Sequence, residues 1–189
     1  CVLAVTATGR IAERVVMGPN DAAARQRIER DVRGAFDVMS RGLQAMARGV
    51  ADPDALVAAA RDDEGAARAL FDSAQAAAVS QTSDVELAVT AYAAAGRPIA
   101  WAGRPSELPK DRLEGDAAWF IAQGALGLRL VYTMPVNDAA GTRVGTIAAE
   151  QSIRPPNASG AAARADPFRF PGQLTPVSLE LAFEDIRAT

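Results

Sequence analysis

Apolar and polar residues alternate along the stretch from Asp84 to Ile153, and short turn-forming clusters cut that alternation into segments. Val85, Leu87, Val89 and Ala91 fall on one face of the first segment, with Glu86, Ala88, Thr90 and Tyr92 on the other. Ala94-Ala95-Gly96-Arg97-Pro98 turns into a second strand over 99–103, where Trp101 shares the phase of Ile99. A Pro-rich, charged excursion fills 104–116, long enough for a loop with a short helix. Strands are then expected over 118–123, 126–136 and 143–153, the last two joined by a hairpin at 137–142 with Gly141 available for a positive φ.

Upstream the period changes from two to between three and four. Ile28, Val32, Phe36 (with Ala35), Met39, Leu43, Met46 and Val50 form one seam, which predicts a helix from about Asn20 to Val50. Arg25, Arg27, Glu29, Arg30, Asp31 and Arg33 lie mainly off that seam. Such a helix either covers the sheet of its own domain or also pairs with its twin in a dimer. Asp52-Pro53 starts a short helix through Ala60, and Asp62-Asp63-Glu64 places acids at the amino terminus of another that ends near Ser80. Gln81 to Asp84 is the turn into the sheet. Helices first and strands afterwards predict an α+β fold: a long N-terminal helix packed on a five-stranded antiparallel sheet.

Composition removes more functions than it suggests. The chain of 189 residues has no histidine, and its only cysteine is Cys1. The absence of histidine excludes imidazole general bases, Ser-His-Asp and Cys-His nucleophile systems and His-based metal sites. A lone cysteine excludes an internal disulfide and a Cys-x-x-Cys pair. A net charge of −3, with basic residues interleaved among acids, leaves no footprint for nucleic acid. Asp111, Glu114 and Asp116 have the irregular spacing of a solvated face rather than a calcium loop, so no metal site and no cofactor are expected.

The organisation reads in three parts. Residues 1–19 are expected to be a membrane-proximal helix remnant, with a helix over 2–17 that Gly18-Pro19 interrupts. Residues 20–153 form the main domain. Residues 154–189 are a linker, Arg154 to Gly172, followed by an extra strand over 174–186 that either joins the sheet's edge or begins a further module. Cys1 admits three readings: the end of a membrane span, a lipidation site, or an arbitrary boundary. The first is favoured because Ile11, Val15 and Val16 continue an apolar helical pattern.

Five strands with a long excursion between the second and third match a PAS-like sheet. The runs Gly96 to Pro105 (GRPIAWAGRP), Gly127 to Tyr132 (GLRLVY) and Gly141 to Glu150 (GTRVGTIAAE) resemble the extracytoplasmic PAS-like sensor domains of the Cache type, found between membrane spans of bacterial histidine kinases and chemoreceptors. The resemblance covers roughly 20–153. It implies one sheet face against the long helix and a small-molecule pocket on the other, beneath the excursion. It also implies a periplasmic domain of a membrane-tethered receptor that dimerises through the N-terminal helix.

For such a pocket the expected lining is Trp101, Arg104, Trp119, Phe120, Arg129 and Tyr132, aromatic and cationic groups suited to a small and anionic ligand. Arg129 stands between Leu128 and Leu130, where a guanidinium is costly unless it meets a carboxylate or solvent. It is either a clamp for a ligand carboxylate, or a group on an exposed outer face, or the internal partner of Glu150 or Glu86. Trp101 and Trp119 supply core volume in a chain short of aromatics, and the phase of Tyr132 with Leu128 and Leu130 places it in the core. The leading functional expectation is thus a binding module. The alternative is a structural or dimerisation module with a degenerate pocket, and an enzyme has the least support.

Overall fold

A computed structural model describes residues 21–79, 86–124 and 127–153, together with the backbone of 169–170 and 177–178. Three helices come first: α1 (Asp21–Val50), α2 (Pro53–Ala60) and α3 (Glu64–Val79). Strands β1 (Leu87–Ala93) and β2 (Pro98–Ala102) follow, then the short α4 (Lys110–Glu114), then β3 (Ala118–Gly124), β4 (Gly127–Asn137) and β5 (Arg143–Ser152). The five strands form one antiparallel sheet in the order β2-β1-β5-β4-β3. The expected α+β architecture, a long N-terminal helix on a five-stranded antiparallel sheet, is the one observed. The helix expected over 2–17, the turn Gln81 to Asp84 and the linker from Arg154 to 168 lie outside the described residues. Of the C-terminal strand, Val177–Ser178 is described, and it pairs with Arg169–Phe170 in a separate two-stranded ladder.

The helices start where side chains can satisfy their free N–H groups. Asp52 Oδ1 accepts from the Ala55 N–H at 3.0 Å, with Pro53 in the first turn of α2. Asp63 Oδ1 accepts from the Ala66 N–H at 2.9 Å at the start of α3. The hairpins close by one device used twice. Gly96 and Gly141 both take a positive φ, +77° and +80°, each at the end of a tight turn, where a side chain would be strained. Asp138 Oδ1 fixes the second turn by accepting from the N–H groups of Ala140 and Thr142 at 2.9 and 2.8 Å.

The main core lies between the helices and one sheet face. Met39, Leu43, Met46, Ala47 and Val50 of α1 pack with Leu56, Leu70 and Ala74 of the other helices against Val89, Ala91, Leu130, Tyr132, Ile147 and Ala149. Only the C-terminal half of the predicted seam is buried. Val32 and Ala35 pack at its border, Phe36 is partly exposed, and no described residue of α1 before Met39 is buried. The opposite face carries a smaller cluster in which Leu108 and Leu113 of the excursion sit on Tyr92, Val131 and Ala148. None of the helices among the described residues is long and apolar enough to cross a membrane.

Candidate functional site

The excursion leaves the sheet at Gly103, where φ is +74° and an added Cβ would lie 2.2 Å from the Leu87 carbonyl oxygen. Backbone passes so close to backbone here that only glycine fits. The chain then doubles back over the sheet face turned away from the helices. Two side chains, the buried Glu150 and the half-buried Arg143, fasten it there. The Ser106 N–H donates to both carboxylate oxygens of Glu150, at 3.0 and 3.1 Å. At the far end, Arg143 collects the carbonyls that α4 leaves free. Its Nη1 donates to the oxygens of Glu114 and Gly115 at 2.7 and 2.8 Å, and its Nη2 to Leu113 O and, at 2.7 Å, to Thr146 Oγ1. A cation at a helix C-terminus with several carbonyls within reach is a favourable arrangement.

Between these fasteners the excursion roofs a cavity of about 530 Å³. Its floor is Thr90 and Tyr92, Trp101 stands at its mouth, and Gly96 and Pro98 form one wall. Pro105, Ser106, Glu107, Leu108 and Leu113 supply the cover. The size lies within the range of small-molecule sites, and the apolar walls with a few polar groups match their usual composition. Burial is the main cause of the raised phenol pKa of Tyr92, and the nearby Glu150 charge pushes it the same way.

Beside the cavity a charged cluster is buried under the cover. Glu150 has no exposed surface and Arg129 has 4 %. Arg129 Nη2 lies 3.0 Å from Glu86 Oε1, and Nη1 lies 3.8 Å from Glu150 Oε2. The register explains the meeting: Arg129 faces Ser152 across β5, Glu150 faces Val131 and Ala88, and the Ser152 N–H donates to the Glu86 carbonyl at 2.9 Å. Glu86, half-buried, thus balances the guanidinium, and Glu150 is a second anion with no water-facing surface of its own. Its carboxyl is held above the usual value of about 4.5, chiefly by burial, with Ser106 and the Arg129 charge pulling the other way.

The sheet sorts the six sequence candidates between its two faces. Trp101 lines the cavity and is 50 % exposed at its mouth. The shared phase with Ile99 does not hold, because a bulge at Ile99 shifts the register: Ala91 faces Ala100 while Tyr92 faces Pro98. Ile99 packs on the helix-side core, and Trp101 faces Thr90 on the other side. Trp119 and Tyr132 are direct cross-strand partners on the helix side, stacked with ring centroids 4.4 Å apart, and Phe36 meets Trp119 edge-on at 6.2 Å. Phe120 is on the cavity side but belongs to the cluster under the excursion, with the Arg112 guanidinium 5.2 Å above its ring. Arg129 takes the internal pairing, with both Glu86 and Glu150. Arg104 is exposed in the excursion and outside the cavity lining.

Sequence reasoning did not single out Thr90, Tyr92, Ser106, Glu107 or Arg143. A usable signal existed for the face itself, since Thr90 and Tyr92 share the phase of Glu86. None existed for Arg143, whose carbonyl partners lie 28 to 30 positions earlier. Among the described residues no group of three or more Cys, Asp or Glu side chains is placed to hold a metal ion. No protein-family model and no curated protein matches the chain.

Proposed function

We propose that this chain is a small-molecule-sensing domain, the extracytoplasmic part of a bacterial membrane-tethered receptor such as a sensor histidine kinase or a chemoreceptor. The observation that carries the reading is the cavity of about 530 Å³ on the sheet face away from the helices, roofed by an excursion tied down at Ser106 and at α4. A ligand there would touch Ser106 and Trp101, and so load both the cover and the β2 edge of the sheet. The opposite face holds α1, so strain in the sheet has a rigid element to act on. Dimerisation through α1 and a periplasmic location rest on the Cache-type resemblance of the sequence. Analytical ultracentrifugation tests the first, and topology mapping of the intact gene product tests the second.

The binding reading is tested by thermal shift and by tryptophan fluorescence with a panel of carboxylates, amines and sugars. Trp101 at the cavity mouth is the expected reporter, since Trp119 is packed between Phe36 and Tyr132. A response that disappears in Trp101→Phe supports the reading, and silence across the panel overturns it. A second reading, a structural or dimerisation module, is favoured by one observation: Arg129 and Arg143, the two cations on this face of β4 and β5, are spent on internal partners.

A further inference from the structure

The chemical character of the cavity is set by which charges reach it. Glu107 is the one ionisable carboxylate on the described lining, and no arginine or lysine joins it. The cations of the surrounding elements are directed elsewhere. Arg129 meets Glu86 and Glu150, and Arg143 meets the carbonyls at the end of α4. Lys110 Nζ is 3.4 Å from Glu114, and Arg112 stands over Phe120 with Asp111 at 4.0 Å. Arg97 donates to the Ala60 carbonyl at 3.2 Å. Arg104 is exposed and outside the lining.

The lining also offers two aromatic rings, Trp101 and Tyr92, whose faces attract cations. A further observation is independent of charge. Thr90 Oγ1 and Ser106 Oγ both belong to side chains more than nine-tenths buried and both line the cavity. Neither completes a hydrogen bond of ordinary geometry, although Thr90 interacts with the Tyr92 phenol and Ser106 with the Glu150 carboxyl. Buried hydroxyl oxygens whose lone pairs meet no donor are costly, and a ligand N–H that reaches them recovers that cost. Their oxygens accept N–H bonds. An anionic ligand would bring a second carboxylate against Glu107, with no cation to balance it.

The geometry points to a small organic ammonium ion, an amine carried on an aliphatic or aromatic body, as the occupant of this cavity. The ammonium group is held by Glu107 and the two rings, with Thr90 and Ser106 as further acceptors. Pro98, Pro105, Leu108 and Leu113 enclose the apolar body. This replaces the anionic ligand expected from the sequence, and it rests on the reading of the cavity as a binding site.

The test is calorimetric titration of the full chain with matched probes that differ only in the head group. One set is 2-phenylethylamine, 2-phenylethanol and 3-phenylpropionate, and the other is isopentylamine, isopentanol and isocaproate. The amine is expected to bind about tenfold more tightly than the alcohol of the same set, and the carboxylate to be the weakest. Glu107→Gln should remove that amine preference while leaving alcohol binding within about twofold, and Trp101→Ala should weaken the amine more than the alcohol. Glu107 and Trp101 are exposed, so both variants keep the fold. A carboxylate that binds best, or an amine-to-alcohol ratio untouched by Glu107→Gln, overturns the ammonium assignment and leaves a binding cavity standing. No binding by any probe of either set counts against the binding cavity itself.

Discussion

The two faces of the sheet are built from the same five strands and by opposite means. Towards the helices the buried side chains are almost all apolar, among them Val89, Ala91, Leu130, Ile147 and Ala149. Towards the excursion the same strands bury Thr90, Arg129, Thr133, Thr146, Glu150 and Ser152. Alternation along a strand makes this division possible, because each residue's parity decides its face. The contrast separates two tasks. The helix side supplies area removed from water, which is non-directional and tolerant of exchange. The excursion side supplies directional contacts, which hold one loop in one place and fail if a partner is lost.

Several substitutions would break or sharpen that division. The largest effect is expected from Leu43→Ala in α1, which deletes fully buried volume and should lower the unfolding free energy by about 3 kcal/mol in urea titration. Glu150→Ala comes next. It leaves the Ser106 N–H without its acceptor and Arg129 with one carboxylate fewer, at a cost of roughly 2–3 kcal/mol. Hydrogen exchange distinguishes the two, since Glu150→Ala should release amides of 103–116 first, whereas Leu43→Ala should accelerate exchange throughout the sheet. If both variants speed exchange uniformly, the two faces are one cooperative unit and the division fails.

A pH experiment probes the same buried carboxyl without removing it. Because the folded-state pKa of Glu150 is raised, the native chain binds its proton more tightly than the unfolded chain does. Its contribution to stability is therefore fully present below about 4.5 and falls as pH rises from there through the raised folded-state value. Wild type should lose stability across that window relative to Glu150→Gln, and the difference between their urea midpoints plotted against pH is the measurement. A flat difference would place the carboxyl in contact with solvent. The smallest effect is expected from Glu29→Ala, which removes a 2.6 Å pair with Arg33 on the exposed surface of α1. It should change stability by less than about 0.5 kcal/mol and leave exchange at both faces unaltered.

Much of this arrangement could be read from local pattern, and the parts that could not share a cause. The phase of Val89 and Ala91 against Thr90 and Tyr92 gave the two faces of β1, and the seam through Met39, Leu43, Met46 and Val50 gave the buried side of α1. Gly141 marked its turn because positive φ is a local demand. Failures arise where the deciding contact is distant in sequence. Trp119 and Tyr132 were candidates for a pocket as well as for the core, and the β3–β4 register decides for the core by putting both on the helix side. Trp101 left its expected phase because of a single bulge residue, Ile99. Ser106 and Glu150 are 44 positions apart, and neither residue type alone announces a loop fastener. Arg129 is intermediate: its cost in an apolar strand predicted a partner, and the choice between ligand and protein needed the fold.

The length of α1 has a mechanical consequence. Thirty residues form this helix, and its buried anchorage begins only at Met39. The eighteen residues from Asp21 to Val38 reach about 27 Å beyond Met39 at the standard rise of an α-helix, with Val32, Ala35 and Phe36 touching only the border of the core. A rod pivoting about its buried part multiplies rotation into travel, so a tilt of about 5° at Met39 would carry Asp21 by about 2 Å over that length. Displacements too small to disturb side-chain packing at the sheet thus become comparable to an atomic diameter at Asp21.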